Sequence, residues 1–327
     1  MSEKVYLRWG DKRNRADEIA RRLGYELVSV QWHLPSSLLR PLRPLVLYWR
    51  TKAALRRLKP KAIISHHTQP FGSVACVRYG KRHGVPVVTD CHNGPFVDPL
   101  WQRFPFRQAH RYALRHAAVN LVHNEPFRGY VAQQHNQGRF LVLHDCIPNI
   151  ADRVQRASLA ARPVVLVVCS WSADEPVGEV VAAARNSPEI DYWVTGRVRE
   201  ARLRGAGEVP ENVRFMGFVS DADYDRTLRS ADAALVLSTR EHVLTCACHE
   251  AIGAECALVI SDSAAARGYL RAGTVFIDNN GDSIAAGVRT AVRDRDRLRA
   301  EMVTLRGELD AVWEQQARVL QEMLDSG

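Results

Sequence analysis

Twelve short apolar runs, six in each half of the chain, alternate with stretches of helical pattern, and this alternation constrains the fold most. In the first half the runs are residues 4–9, 26–31, 62–65, 86–90, 119–123 and 140–144. Between them lie helix-like stretches such as 15–23 and 72–83. Strands alternating with helices predict βαβ units and a parallel sheet. A polar stretch, 146–161, with Pro148 and Asn149, reads as a linker. The alternation resumes at 163–169, 192–195, 213–216, 233–237, 257–261 and 274–277. The expected fold is α/β, with two Rossmann-like domains at 1–150 and 162–297 and a cleft between them for two ligands. In 298–327, Leu298, Met302, Leu305, Leu309, Val312, Val319 and Met323 recur at mostly three-to-four-residue spacing, predicting an amphipathic helix. Gln316 on its apolar seam favours packing back on the protein over a coiled-coil dimer.

At 327 residues the chain is long enough for two domains with separate cores, and its 46% hydrophobic and 25% charged content is that of a packed globular protein. No leader-like segment opens the sequence and no run approaches the roughly 18 apolar residues of a spanning helix, so a cytoplasmic location is expected. The seven cysteines are odd in number and lack paired CxxC spacing, which points to reduced, mostly buried thiols and no metal site.

A net charge of +9 admits nucleic acid, an anionic membrane or a phosphorylated substrate as partner. Residues 36–61 hold eight Lys or Arg and no acid, interleaved with Leu42, Leu45, Leu47, Tyr48, Trp49 and Leu55. Two readings stay open for this segment: peripheral contact with an anionic bilayer, or a surface helix whose apolar side packs on the sheet. A nucleic-acid partner is not expected.

The most informative stretch for chemistry is 233–261, AALVLSTREHVLTCACHEAIGAECALVIS, a strand, polar loop, short helix and second strand. Glu250 on that helix is suited to accept both hydrogen bonds of a ribose diol, and the helix N-terminus near 243–246 can face a diphosphate. From Glu250-Ala251-Ile252 to Ser261 the stretch resembles the donor-binding signature of GT-B glycosyltransferases of the group 1, family 4-like kind. The resemblance implies transfer of a sugar from a nucleotide diphosphate sugar, bound mainly by the C-terminal half, to a hydroxyl acceptor. It implies no metal and no cofactor beyond the donor as co-substrate. Two departures stand out. The upstream glutamate common in retaining members is His242, with Glu241 one residue out of register, and Val243 and Thr245 replace the loop glycines. His242 is kept as a donor contact.

The segment SWSADEP at 170–176 resembles the SW-x-x-DE stretch of the chitobiosyl-diphosphodolichol β-mannosyltransferases. Most retaining members carry an Arg and a Lys where this chain has Ser170 and Glu175, so Arg197 and Arg240 become the candidates for the diphosphate. Read from the residues alone, Ser172 or Asp174 simply caps the helix that Pro176 opens. In 212–220, NVRFMGFVS, Gly217 permits close approach of a nucleobase and Phe218 can cover it.

In the first half, 87–96, VVTDCHNGPF, resembles the DxHN stretch of the same mannosyltransferases. Asp90 and His92 are the candidate bases for the acceptor hydroxyl, as an inverting transfer requires. Gly10, Arg13, Arg15, His66 and Asn93 are candidate acceptor contacts, and His67, His123, Asn124 and Glu125 lie at neighbouring strand ends. The basic 36–61 segment suggests a lipid-linked acceptor. Alternatives are a nucleotide-sugar epimerase and a non-catalytic scaffold of the same fold. An NAD enzyme would need GxGxxG after its first strand, where this chain has WGDKRN.

Overall fold

The computed structural model describes residues 3–10, 15–33 and 37–325; Arg13 and Ser36 lie outside the described residues. It divides into two compact units, Met1–Cys146 with Trp313–Gly327, and Ile147–Val312.

In the first unit, strands β1 (Lys4–Trp9), β2 (Glu26–Val30), β3 (Ala62–His67), β4 (Val87–Cys91), β5 (Val119–Val122) and β6 (Phe140–Val142) form one parallel sheet. Their order is β2-β1-β3-β4-β5-β6. Helices α1 (Arg15–Leu23), α2 (Arg43–Leu58), α3 (Pro70–His83), α4 (Gly94–Val97), α5 (Phe106–His116) and α6 (Glu125–Gln134) lie in the crossovers. Side-chain alternation along β1 sorts the core. Tyr6 packs with Ala16 and Ile19 of α1 on one face, while Val5 and Leu7 pack with Leu47 and Leu55 of α2 on the other. The strand order reverses between β1 and β3, and a ligand of such a sheet binds beyond the carboxyl ends near that point. The β3–β4 register sets His66 opposite Asp90 at those ends.

The second unit repeats the plan with β7 (Val164–Val167), β8 (Asp191–Thr195), β9 (Val213–Gly217), β10 (Ala233–Val236), β11 (Leu258–Ser261) and β12 (Thr274–Ile277). Their order is β12-β11-β10-β7-β8-β9, with the reversal between β7 and β10. The helices are α7 (Val177–Asn186), α8 (Asp221–Ser230), α9 (Cys246–Gly253), α10 (Ala264–Tyr269) and α11 (Gly281–Arg293). Strands and helices thus alternate as expected, and the chain has two Rossmann-like domains.

The boundaries differ from the expected ones in two places. Residues 147–161 belong to the second unit, because Ile147 and Ile150 bury in its core. The terminal helix α12 (Arg295–Asp325) packs back on the protein as expected, but its residues divide between the two units instead of forming a segment of their own. Its stripe puts Leu298, Met302, Leu305 and Leu309 into the second core and Trp313, Ala317 and Leu320 into the first. Gln316, the polar break in the stripe, accepts a hydrogen bond from the His144 backbone N–H at 2.9 Å. All seven cysteines are free and five are buried. Among the described residues, no helix is long and apolar enough to cross a membrane.

Two helical glycines should respond to alanine with opposite sign. A Cβ at Gly253 would stand 2.1 Å from the Pro148 carbonyl oxygen, backbone against backbone. Gly253→Ala should cost about 1–3 kcal/mol. Nothing lies within 4 Å of a Cβ at exposed Gly307 in α12, and Gly307→Ala should gain about 0.5–1 kcal/mol from helix propensity. Chemical denaturation of the two variants checks both signs.

Candidate active site

In the first unit a fully buried carboxylate organises the carboxyl end of the sheet. Asp90, the penultimate residue of β4, accepts hydrogen bonds from the Tyr6 hydroxyl on Oδ2 at 2.5 Å and from Arg15 Nε on Oδ1 at 2.9 Å. Arg15 also donates to Asp145 and, through Nη2, to the Leu143 carbonyl at 2.7 Å. His92 Nε2 lies 3.5 Å from Asp90 Oδ2, with the His92 side chain 29% exposed. Burial alone would raise the Asp90 pKa, but the Arg15 charge and the bond from His92 outweigh it and hold the carboxyl far below its usual range. Next to this pair, the His66 ring sits edge-on to His92 with centroids 4.3 Å apart. Burial, reinforced by His92, lowers the His66 pKa to about 3, so this imidazole is neutral. Asn93, which precedes α4, has a buried Oδ1 without a protein partner, as does Nε2 of His66.

Ligand atoms of His66, Asp90 and His92 lie within 4.8 Å of one another, a spacing that a divalent metal could bridge. Both Asp90 oxygens are already engaged by Tyr6 and Arg15, and a dication would face the Arg15 charge.

Beneath it, a second histidine pair is structural. His67 is fully buried, with Nδ1 2.8 Å from Ser73 Oγ and Nε2 2.8 Å from His110 Nδ1. The rings stack at 5.0 Å, and Phe96 and His135 pack against His110. His67 therefore lies in the core and not in a ligand pocket. Asn124 caps α6 through the Phe127 N–H at 2.7 Å, and exposed Glu125 pairs with Arg128 at 2.6 Å.

In the second unit, Glu250 is half-buried on α9, and its Oε2 accepts the Tyr224 hydroxyl at 2.5 Å. Burial raises its pKa and the Tyr224 bond only partly offsets that. The N-cap of α9, Thr245, makes no side-chain cap bond, so the first N–H groups of the helix have no capping side chain. The loop after β7 is locked from within. Trp171 is fully buried in the left-handed region at φ 62° and donates Nε1–H to the Thr195 carbonyl at 3.0 Å. Glu175 accepts from the N–H and hydroxyl of exposed Ser170 and from the Ser172 N–H at 2.6 Å. Asp174 binds the Ser238 hydroxyl at 3.0 Å and Arg240 at 3.3 Å, joining the loops after β7 and β10 at the switch point. Neither Ser172 nor Asp174 caps α7, whose N-cap is Pro176.

The expected site residues fall into separate groups. Arg15, His66, Asp90 and His92 come together, with Asn93 one residue on; Gly10 ends β1 at φ 107° and its N–H donates to the Val30 carbonyl. Arg15 and Asp90 are committed to each other, with Arg15 5% and Asp90 0% exposed, so they support the site and present nothing to a ligand. A bond from the Gly196 N–H to the Gly217 carbonyl sets Arg197 beside Phe218, which is 88% exposed. Arg197 is exposed and, among the described residues, has no hydrogen bond or ion pair. Half-buried His242 lies on the loop before α9. Glu241, at the register slip, is spent on the Ala264 N–H of α10 at 2.6 Å. Tyr6, Asp145 and Tyr224 were not foreseen. Each reads locally as a strand, loop or helix-surface residue, and only the fold brings it to its partner.

Two doubly wound domains, with a carboxylate on the helix after the fourth strand of the second, define the GT-B class of fold. Residues 7–146 match the family described as glycosyl transferase 4-like domain, and 161–305 match glycosyl transferases group 1. The chain belongs to these glycosyltransferases. By sequence, no curated protein matches it. By structure it is similar to Anabaena HepE in complex with UDP and glucose (TM-score 0.72, 13% identity, 97% of this chain and 91% of that one). It is also similar to sucrose-phosphate synthase from Thermosynechococcus elongatus (0.76, 13%, 98% of each). A third likeness is a glycosyltransferase from Rickettsia africae (0.68, 8%, 98% and 97%).

The buried histidine pair makes a pH prediction. Burial lowers the pKa of His67 to about 3 and of His110 to about 2, against 6.5 in the unfolded chain. Below pH 6.5 the unfolded chain takes up protons that the folded one refuses, so stability falls as pH drops toward 3. Each histidine contributes about 1.4 kcal/mol per pH unit. Urea midpoints should fall steeply from pH 7 to 5, and His110→Phe should flatten the slope; a flat wild-type profile contradicts the assignment.

Proposed function

We propose that the protein transfers a glycosyl group from a nucleoside diphosphate sugar, bound by the second unit, to a hydroxyl acceptor bound by the first. The observation that carries the reading is Glu250, a half-buried carboxylate whose Oε1 has no hydrogen bond among the described residues, on a helix whose N-cap Thr245 makes no side-chain cap bond. The carboxylate takes the ribose diol, and the N–H groups of α9 take the diphosphate. Arg197, exposed and unpaired among the described residues, supplies charge; Arg240 must share its charge with Asp174, and Ser170 contributes a hydroxyl at most. Gly217, Phe218 and His242 complete the donor contacts. Support also comes from HepE, which was solved with UDP and glucose.

Transfer needs a base. Asp90 orients His92 through Nε2 and stabilises the imidazolium, leaving Nδ1 to take the acceptor proton. The acceptor oxygen bonds the anomeric carbon, the bond to the diphosphate breaks with its electron pair, and the proton stays on His92. That sequence is an inverting displacement, with helix dipole and arginine rather than a metal neutralising the leaving group. His66 and Asn93, with unpartnered buried polar atoms, hold the acceptor.

Glu250→Gln should weaken binding of nucleoside diphosphates such as UDP about tenfold or more. Because burial raises the Glu250 pKa, its cost to stability is present above that pKa and vanishes below the unfolded value, so the same variant should melt higher at pH 7. His92→Gln should keep donor affinity and lower kcat at least about 100-fold. Wild-type affinity in Glu250→Gln overturns the ribose assignment; nucleotide binding with neither transfer nor donor hydrolysis in the wild type marks a scaffold.

The acceptor is lipid-linked in this reading, and the protein works at the cytoplasmic face of an anionic membrane. Helix α2 buries Leu47, Thr51 and Leu55 in the first unit. A different face leaves Leu42, Leu45 and Trp49 49–57% exposed, with Lys52 4.3 Å from the Trp49 ring. Both readings of the segment thus find a face. Wild-type protein should float with vesicles of anionic lipid but not neutral lipid, and Leu45→Ser with Trp49→Ser should abolish flotation; failure of the wild type to bind points to a soluble acceptor.

A further inference from the structure

Within the second unit, far from the loops described above, lies a cavity of about 350 Å³. Its lining includes Arg156, Arg162, Arg295 and Arg299, against one acidic residue, Asp232. It opens beside Val164 at the amino end of β7 and beside Ser230 and Asp232 just before β10. The donor loops leave the carboxyl ends of those strands, about 10 Å away along a four-residue strand.

The local charge is not balanced. Asp232 is spent on Arg295, at 2.5 Å, and on the Val164 N–H, at 2.8 Å. Arg162 pairs with Asp191 at 2.6 Å. Arg156 finds only carbonyls, of Arg229 and Glu255, each at 2.7 Å. Arg299 donates to the Ala231 carbonyl at 2.7 Å, and exposed Asp296 is 3.9 Å away. Its Nε is buried without a partner. Among the described residues, these two half-buried guanidinium groups at the cavity have no carboxylate within hydrogen-bond distance. Burial and then the neighbouring Arg299 and Arg229 charges depress the Arg156 pKa to about 10, as expected where like charges are crowded. Arg295 opens α12, and Arg299 stands one turn further along the same helix. Leaving such charges unpaired is costly, and a planar fork of N–H donors matches a phosphate in pairs of bonds.

We propose that this cavity is a second ligand site, separate from the donor site, for a small phosphorylated or diphosphate-bearing molecule held by Arg156 and Arg299 with Arg162 and Arg295 at its sides. The volume suits a diphosphate or a sugar phosphate, not a macromolecule. The proposal is independent of the transferase reading, because its residues take no part in the proposed transfer.

The test is calorimetric titration of the full chain with inorganic phosphate and with pyrophosphate, at ionic strength held constant with sodium chloride. Saturable binding should occur in the wild type and persist in Arg197→Gln, which removes the cation proposed for the donor diphosphate. It should weaken at least about tenfold in Arg156→Gln. Arg162 is half-exposed, so Arg162→Gln should fold whatever happens to Arg156→Gln, and it should weaken binding several-fold. Phosphate binding as tightly as pyrophosphate identifies free phosphate as the ligand class, and tighter pyrophosphate identifies a diphosphate. No saturable binding in the wild type, equal affinity in Arg162→Gln, or loss of binding in Arg197→Gln overturns the proposal.

Discussion

Arg15 places a full charge inside the first unit, and the candidate site depends on how that charge is met. One guanidinium binds Asp90 at the end of β4, Asp145 beyond β6 and the Leu143 carbonyl, so the first helix is tied to the far half of the sheet. Tyr6 closes the remaining oxygen of Asp90 from β1. A buried arginine with two carboxylates leaves one negative charge in excess, and the His92 ring stands beside it, Nε2 3.5 Å from Asp90 Oδ2. Asp90 cannot serve as the base itself, because it has no exposed atom and its ionised form is strongly favoured.

The second unit solves a different problem, since its candidate ligand is the anion. Its loop after β7 is held by a buried Trp171 in a conformation that costs a non-glycine residue about 1–2 kcal/mol, and Glu175 fills the backbone donors of the turn. That loop is closed on itself. One helix along, Thr245 makes no side-chain cap bond at the start of α9, the helix that carries Glu250. In the proposed reading, phosphate recognition therefore falls to the start of that helix and Arg197 and not to side-chain cations in the first loop, in keeping with the residues this chain has at Ser170 and Glu175.

The architecture was legible because burial on both faces of parallel strands leaves apolar runs of the right length, and all twelve appear as strands within a few residues of their expected bounds. The helix α9 and Glu250 were legible for a similar reason, since a strand-loop-helix-strand order fixes where the helix starts. Partnerships were not. Tyr6 and Asp90 are 84 residues apart, Tyr224 and Glu250 26 apart, and Arg15 and Asp145 130 apart, so no local pattern could pair them. Arg15 looked like a cleft residue because an arginine at a helix start usually meets solvent or ligand. Only the tertiary fold, by burying its two carboxylates alongside it, turns it inward. The terminal helix was legible as an amphipathic helix packing back on the protein, but its division between cores was not, because a stripe of even spacing carries no mark of where one core ends and another begins.

Charge partition bears on both proposed binding surfaces. Residues 36–61 carry eight positive charges and no acid, almost the whole of the net +9 of the chain. The rest of the molecule is therefore close to neutral, and attraction to an anionic surface must act through one region rather than through the protein at large. Because α2 also exposes Leu45 and Trp49 there, Coulomb attraction and apolar insertion would reinforce each other at that helix in the proposed membrane contact. In the nearly neutral remainder, a general excess of arginine cannot explain why Arg156 and Arg299 are half-buried without an effective counter-ion. Two other half-buried arginines of the second unit do meet carboxylates, Arg229 at Glu255 and Arg306 at Asp152 and Glu255. The imbalance is local, and a local anion is the simplest way for the fold to hold it.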